Sequence, residues 1–119
     1  MDLLKNKIKK NQKILAAYIQ ELADEKNNAL GNDLTYQPII DLKGNHFQLM
    51  RIGWHQQKYL YAVLVHFDIN AETGNVWVQQ NNTEILLDEE LERRGIKKNN
   101  LVLGFRSPEM RPFSDFAIA

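Results

Sequence analysis

The stretch HFQLMRIGWHQQKYLYAVLVHFDINAETGNVWVQQNNTE, residues 46–84, decides the fold. It contains three runs rich in β-branched and aromatic residues, separated by short polar segments that are typical of turns. Successive side chains of a strand point to opposite faces, so the middle run predicts one face that is wholly apolar or aromatic. Its members are Tyr59, Tyr61, Val63, Val65, Phe67 and Ile69. The opposite face changes from apolar to ionisable at His66 and Asp68.

The flanking segments extend this pattern into an antiparallel meander of four strands. Residues 46–54 predict the second strand and residues 76–80 the fourth, and the connection at 55–57 is short enough for a hairpin. Residues 34–42 predict the first strand. Pro38 has no N–H to donate, so it places this strand at an edge of the sheet or at a bulge.

An amphipathic helix is predicted over residues 3–28. Its buried stripe repeats at intervals of three and four residues and contains one polar member. The stripe consists of Leu4, Ile8, Asn11, Leu15, Tyr18 and Leu22. We expect this helix to pack on one face of the sheet.

A second, short helix is predicted after the fourth strand. Thr83 or Asp88 is suited to cap its start, and Leu87 and Leu91 form its buried side. Gly95 follows its end, where a left-handed residue is favoured. A further apolar run beyond it predicts another short strand. The fold class is therefore α+β, with a long N-terminal helix packed on an antiparallel meander.

The composition fits a single domain over residues 1–119. The chain has 119 residues, zero formal net charge and 44% hydrophobic residues, which is ordinary for a folded domain. It has no cysteine, which excludes disulfides and cysteine-based metal sites. The first ten residues lack the apolar core of a signal peptide, and no run reaches membrane-spanning length. We expect a cytoplasmic protein that contacts no membrane.

The sequence contains no motif for cofactor or metal chemistry. GxGxxG, P-loop and GxSxG patterns are missing, so we expect no cofactor. The three histidines, His46, His55 and His66, do not have the spacing of a metal site, and no metal is predicted.

Two carboxylates and one histidine are candidates for a site. His66 and Asp68 share a strand face, which can orient an imidazole for acid–base chemistry. A histidine that is hydrogen-bonded at the polar end of the sheet is the favoured interpretation. Asp68 and Glu84 could together hold a divalent ion, as in nucleases, but two carboxylates sixteen residues apart are a weak signal.

Lysines and aromatic residues each allow two interpretations. The lysines of the first helix form a solvated face or, alternatively, a surface that contacts phosphates; they are Lys5, Lys9, Lys10 and Lys13. The strand aromatics could be core residues or a platform on which bases stack. Their core-like alternation favours the core. They are Phe47, Trp54, Tyr59, Tyr61, Phe67 and Trp77.

Five segments occur in an order and spacing that resemble one known family. They are HFQLMRIGW at 46–54, VLVHFDI at 63–69, GNVWVQQNNTE at 74–84, GIKKNNLVLGF at 95–105 and RPFSDFAIA at 111–119. The chain is similar to the XisI-like family, the fdxN element excision controlling factor proteins of cyanobacteria. The resemblance covers essentially the full length and is weakest in the first helix.

The resemblance implies a small α+β domain with an accessory role in developmentally programmed DNA rearrangement. A recombinase excises the DNA element, and a XisI-like protein acts with a XisH-like companion. No enzymatic activity is implied. The positions that match the family signature are Gly53, Trp54, His66, Asp68, Trp77, Thr83, Glu84, Gly95, Gly104, Phe105, Arg111 and Phe116. Arg106 stands where the family commonly has a histidine, which argues against a mechanism that needs that histidine.

Four signature residues are polar enough to suggest a site: His66, Asp68, Glu84 and Arg111. We hypothesise that they form a polar network that braces the sheet against the second helix, or else a docking surface. In this hypothesis, Asp68 and Glu84 meet at a polar corner of the sheet. The signature glycines fit backbone requirements, and the signature aromatics fit packing.

Three functional hypotheses follow from these observations. An accessory protein that binds a XisH-like companion or a site-specific recombinase is favoured. The first alternative is a DNA-binding factor that uses the basic helix, and the second is a metal-dependent, nuclease-like enzyme around Asp68 and Glu84. An exposed edge at the strand of Pro38 would also allow homo-oligomers.

Overall fold

The computed structural model describes residues 2–29, 31 and 33–119. Across these residues it has two α-helices, α1 at Leu3–Asn27 and α2 at Leu87–Arg93. One sheet contains the strands β1 Thr35–Asp41, β2 His46–His55, β3 Lys58–Ile69, β4 Val76–Asn81 and β5 Leu101–Leu103. Two short 3-10 helices lie at Lys98–Asn100 and Arg111–Phe113. Neither α-helix of the described part combines the length and hydropathy that are needed to cross a bilayer.

The strands lie in the order β1-β2-β3-β4-β5, and the first four form an antiparallel meander. Strand β5 runs parallel to β4, because α2 lies in the connection and returns the chain in the same direction. The predicted α+β class, with its long first helix and short second helix, is confirmed. The parallel pairing was not predicted, because a strand of three residues carries no periodic signal.

Both helices pack on one face of the sheet, which we call the inner face. Leu15 and Tyr18 of α1 are buried against it, as the predicted stripe requires. Leu87 and Leu91 of α2 join the same core. The sheet contributes Phe47, Leu49, Leu64, Val65, Phe67, Ile69, Val76, Val78 and Leu101. The opposite, outer face carries no α-helix of the described chain.

A β-bulge at Leu64 changes which side chains of β3 reach the core. Val65 pairs with Leu49, but the next pair joins Val63 to Met50, so Leu64 is an extra residue. Leu64 and Val65 are consecutive, yet they are only 3% and 0% exposed. The alternation of faces therefore reverses here. The prediction of one continuous apolar face is wrong, and the members that do reach the core are Val65, Phe67 and Ile69.

The reversal turns the first half of β3 outward. Tyr59 and Tyr61 are 52% and 67% exposed, and Trp54 of β2 is 64% exposed. The prediction that these three residues are core aromatics is wrong, whereas Phe47 and Phe67 are fully buried as predicted. Trp54 and Tyr59 are a cross-strand pair whose ring centroids lie 5.3 Å apart.

The exposed aromatics belong to a projecting hairpin. Beyond Ile52, strand β2 pairs only with β3, and β3 has no β4 neighbour before Val65. The turn residues Gln56 and Gln57 have φ angles of +50° and +66°, as a two-residue type I′ hairpin turn requires. We call residues 53–61 the hairpin arm. A two-stranded ribbon of this kind has no packed layer of its own.

The remaining signature residues divide between backbone and surface roles. Gly53 and Gly95 have φ angles of +143° and +110°, which fits the predicted backbone role of these glycines. Phe116 packs against the core. Phe105 is 55% exposed, so its predicted packing role is wrong. It follows β5 at the far edge of the sheet, where no further strand of the described chain covers it.

The start of α2 also differs from the prediction. Leu86 precedes the helix without a side-chain cap, and Asp88 lies inside the first turn. Thr83 Oγ1 accepts a hydrogen bond from the Ile85 N–H at 3.1 Å, so it closes the turn before the helix. The prediction of a Thr83 or Asp88 cap is wrong. The acidic residues in the first turn interact favourably with the helix dipole, and they stabilise the start of α2 without a side-chain cap.

Strand β1 is an edge strand, as Pro38 predicted. Asn27 of α1 covers part of this edge, because its amide donates to the Tyr36 carbonyl at 2.7 Å and accepts from the Tyr36 N–H at 2.8 Å. Pro38 offers no N–H two residues further on. This edge therefore presents few free groups to a second chain, and homo-oligomerisation stays a prediction.

Asn11 ties α1 to the β3–β4 hairpin from within the core. Its side chain is buried, and its Nδ2 donates to the Gly74 carbonyl at 2.9 Å. Lys7 adds hydrogen bonds to the Thr73 carbonyl at 3.0 Å and to Asn75 Oδ1 at 2.8 Å. These contacts set the position of the helix along the sheet.

We predict that Asn11→Ala lowers the free energy of unfolding by about 1–3 kcal/mol, because the buried Gly74 carbonyl loses its donor. Urea unfolding followed by circular dichroism measures this change. Lys9→Ala, on the exposed side of the same helix, is the control and should change stability by less than about 0.5 kcal/mol. Equal stability of the Asn11 variant and the parent would contradict the anchoring role.

Candidate functional site

The outer face carries a polar cluster at the end of β2 and β3 that lies away from the hairpin arm. The two strands pair His46 with Asp68 and Gln48 with His66, so these side chains share one face. The bulge creates this register. Without the extra residue in β3, the hairpin would pair Asp68 with Asn45 instead.

Asp68 is the centre of the cluster. Its Oδ1 lies 2.7 Å from His46 Nδ1 and 2.8 Å from His66 Nε2. Its Oδ2 accepts a hydrogen bond from Gln79 Nε2 at 3.1 Å. The side chains of Asp68 and His66 are about three-quarters buried, whereas His46 is more than half exposed. We call His46, His66 and Asp68 the His–His–Asp cluster.

The hydrogen bonds define where the imidazole protons lie. One carboxylate oxygen accepts from both rings only if both rings donate, so the protons are on His46 Nδ1 and His66 Nε2. In the neutral form of His66, Nδ1 has a lone pair that can accept from Gln48 Nε2, which lies 3.3 Å away. This assignment rests on matching donors with acceptors in the network.

Two members of the cluster have shifted pKa values. The hydrogen bond to Asp68 raises the pKa of His46 above its ordinary value of 6.5, and the charges of Asp68 and Asp41 act in the same sense. Partial burial opposes ionisation of Asp68, but hydrogen bonds from His46, His66 and Gln79 outweigh it and hold the pKa of Asp68 below 3.8. The cluster therefore favours a carboxylate at Asp68.

Glu84 does not join this cluster. The Asn82 N–H donates to the Leu64 carbonyl at 2.7 Å, so residue 84 lies beyond the opposite end of β4. The strand from Leu64 to Asp68 spans about 13 Å, at roughly 3.3 Å per residue. Glu84 instead lines a surface pocket with Tyr36. The predicted corner where Asp68 and Glu84 meet does not form.

Arg111 approaches the cluster through Trp77. Trp77 pairs with Asp68 across β3 and β4, and the guanidinium of Arg111 lies 4.8 Å from the centroid of the Trp77 ring. This contact leaves Trp77 half-buried on the outer face. His66 and Asp68 face away from α2, so their network joins β2, β3 and β4 and does not brace the sheet against that helix.

The predicted basic face of α1 is only partly free. Lys5, Lys9 and Lys13 are exposed. Lys10 Nζ donates to the Gly95 carbonyl at 2.9 Å, which ties α1 to the end of α2. Three of the four lysines therefore remain as a surface stripe.

Sequence reasoning found His66 and Asp68 but missed His46, Gln48 and Gln79. Alternation in β2 does place His46 and Gln48 on one face, which is the signal that was available. Their partners depend on a register that the bulge shifts. In the described part of the chain, the His–His–Asp cluster is where three potential metal-ligating atoms come within 4.8 Å of one another.

The fold and the site together define a class of protein. It is a small α+β domain whose two helices cover one face of a mainly antiparallel sheet, while the other face presents a polar cluster and a projecting aromatic hairpin. The family model described as XisI protein matches residues 5–118. The chain belongs to the XisI family.

Two solved structures have the same fold. A XisI-like protein from Anabaena variabilis superposes with a TM-score of 0.83 at 31% identity, over 94% of this chain and 99% of that chain. The fdxN element excision controlling factor XisI from the same species superposes with a TM-score of 0.76 at 24% identity, over 95% and 99%. No protein with curated function matches the chain.

We predict that Asp68→Asn lowers the pKa of His46, because the variant removes the carboxylate that stabilises the imidazolium. Titration of the His46 ring protons by NMR measures the pKa directly. Asp41→Asn is the matched control, since Asp41 acts on His46 only through its charge and contributes less. An equal shift of the His46 pKa in both variants would contradict the assigned hydrogen bond.

The pair of His46 and Asp68 makes the unfolding free energy depend on pH, with a defined sign. The folded-state pKa of His46 lies above 6.5, so its contribution is fully present below pH 6.5 and is lost as pH rises through that pKa. Asp68 contributes above pH 3.8, and its contribution is lost as pH falls through its lowered pKa. We expect the difference in unfolding free energy between the parent and Asp68→Asn to be largest between pH 3.8 and 6.5. A difference independent of pH would contradict this prediction.

Proposed function

We propose that this chain is an accessory factor for site-specific excision of a DNA element and that it acts by binding a XisH-like companion protein. Membership of the XisI family supports the role, as does the fold shared with a protein described as an fdxN element excision controlling factor. The observation that carries the binding part of the proposal is the exposed aromatic surface of the hairpin arm.

Three large aromatic side chains are exposed on the same face of this hairpin. Trp54, Tyr59 and Tyr61, which we call the aromatic face, are 64%, 52% and 67% exposed. Trp and Tyr are the residue types that most often dominate the energy of protein–protein interfaces. They offer a large contact area and lose little side-chain entropy on binding. The aromatic face therefore has the composition of an interface centre.

The backbone of the arm adds a second feature. In the described chain, β3 has no paired neighbour on its β4 side from Lys58 to Ala62, and β2 has no β1 partner beyond Ile52. Free strand edges are the groups that an incoming segment uses when it extends a sheet. A partner that covers the aromatic face also has these edges within reach.

A protein fits this surface better than DNA does. Binding to DNA depends on neutralising phosphates with lysine and arginine. The arm contains one lysine, Lys58, and the chain as a whole has no net charge. A largely uncharged aromatic surface gains most from covering apolar area.

Direct DNA binding through α1 is the weaker candidate. Lys5, Lys9 and Lys13 are exposed there, but Lys7 and Lys10 donate hydrogen bonds within the protein. This candidate predicts duplex binding that falls steeply with salt and is lost when the three exposed lysines become alanine. We expect duplex binding, if measurable at low salt, to be unchanged in that triple variant.

A nuclease centred on Asp68 and Glu84 has no geometric support. Two-metal hydrolysis needs carboxylates that share ions only about 4 Å apart, whereas these two lie at opposite ends of β4. We propose that the chain is not an enzyme. Cleavage of DNA by the purified chain with Mg²⁺ or Mn²⁺, lost in Asp68→Asn, would overturn this part of the proposal.

The test is co-purification with the XisH-like protein of the same genome, followed by a measured affinity. We predict a stoichiometric complex whose affinity falls at least about 30-fold in Trp54→Ala and in Tyr61→Ala, because interface centres contribute about 2 kcal/mol or more per residue. These side chains are exposed, so their removal should leave the fold intact.

Phe105→Ala is the matched control. Phe105 is an aromatic residue of similar exposure, and it lines a pocket with Leu87 and Leu103 on the helix-bearing side. We expect this variant to bind like the parent. A complex that survives both arm variants, or that is lost only in the Phe105 variant, would move the interface elsewhere. The absence of any complex would overturn the proposed partner.

A further inference from the structure

We propose that the His–His–Asp cluster is a binding site for a divalent transition-metal ion and that Zn²⁺ is the occupant its chemistry fits best. This inference concerns the outer face at the end away from the hairpin arm. It does not depend on the excision role, because it can be tested on the isolated chain.

The ligand atoms converge from two neighbouring strands. His46 Nδ1, His66 Nε2 and Asp68 Oδ1 lie within 4.8 Å of one another. His66 and Asp68 are two residues apart on β3, and His46 is the cross-strand partner of Asp68. Strands hold such ligands in position more accurately than loops do.

The distances from Asp68 Oδ1 to the two ring nitrogens are close to those around a coordinated ion. Bonds of about 2.1 Å at tetrahedral angles place neighbouring ligand atoms about 3.4 Å apart. The two nitrogen–oxygen distances are 2.7 and 2.8 Å, so both need to lengthen. The increase is about 0.6–0.7 Å. His46 is more than half exposed, so its ring is free to move by this amount.

The ligand types select the ion. Mg²⁺ and Ca²⁺ prefer sites made of oxygen ligands, whereas imidazole favours Zn²⁺ and its neighbours in the transition series. Two histidines and one carboxylate are a common set for such ions, and they leave at least one coordination position open. Asp68 lines a surface pocket with Trp77 and Gln79, which gives an ion a route from solvent.

The surrounding glutamines provide the outer shell that metal sites need. Gln79 Nε2 holds Asp68 Oδ2 at 3.1 Å and so directs Oδ1 toward the two rings. Gln48 lies 3.3 Å from His66 Nδ1. When His66 Nε2 binds a metal, Nδ1 carries the ring proton. The Gln48 side chain can then rotate so that its amide oxygen accepts a hydrogen bond from the Nδ1–H. Both glutamines therefore suit the loaded state.

Binding of Zn²⁺ alone to the full chain, purified without a histidine tag, is the direct test. Calorimetry or competition with a chromogenic chelator gives stoichiometry and affinity. We expect one ion per chain. We expect His46→Gln and His66→Gln each to weaken binding more than about 100-fold, and Gln79→Leu to weaken it about 10–100-fold, as loss of an outer-shell partner does.

His55→Gln is the matched control, because His55 is the third histidine and lies at the turn of the hairpin arm. It should bind Zn²⁺ like the parent. Co²⁺ gives a second readout, since its paramagnetic shifts should appear at His46, His66 and Gln79 and not at His55. Circular dichroism checks that each variant is folded, and two ligand variants are made so that a misfolded one does not decide the result. The site would be overturned if His46→Gln and His66→Gln both bound Zn²⁺ as tightly as the parent. It would also be overturned if His55→Gln were the variant that lost Zn²⁺ binding.

Discussion

One extra residue in β3 is the constraint on which the rest of the structure depends. Leu64 has no cross-strand partner in β2, so every residue before it faces the side opposite to the one that simple alternation predicts. The apolar half of the strand enters the core, and the tyrosines enter solvent. The same shift brings His46 opposite Asp68. This bulge thus determines the core boundary along β3, the aromatic face and the pairing of His46 with Asp68.

The contacts on the inner face keep the fold stable although part of β3 lies outside the core. Helix α1 is placed by the buried Asn11, which reaches the Gly74 carbonyl, and by Asn27, which satisfies the edge of β1 at Tyr36. Arg94 links the helices, because its guanidinium lies 4.3 Å from the centre of the Tyr18 ring. Stability therefore comes from the helix-bearing face. The outer face is left free to carry side chains that the core does not need.

The outer face separates two kinds of chemistry along the same pair of strands. Near the hairpin turn it presents Trp54, Tyr59 and Tyr61, which gain from covering apolar area. At the other end it presents an ionised carboxylate between two imidazoles, a group of side chains suited to hold a proton or a metal ion. Because both lie on one β2–β3 ribbon and outside the core, a partner at one end and an ion at the other would each leave the core in place.

The sequence by itself determined the α+β class, the order of the elements, the buried stripe of α1 around Asn11, the edge position of Pro38 and the shared face of His66 and Asp68. All of these are local, because they follow from spacing along one helix or one strand. Only the tertiary structure decided that Tyr59 and Tyr61 leave the core, that His46 joins Asp68 and that Glu84 does not. Those outcomes depend on which residues of two strands lie opposite each other, and a bulge changes that register without changing the local pattern.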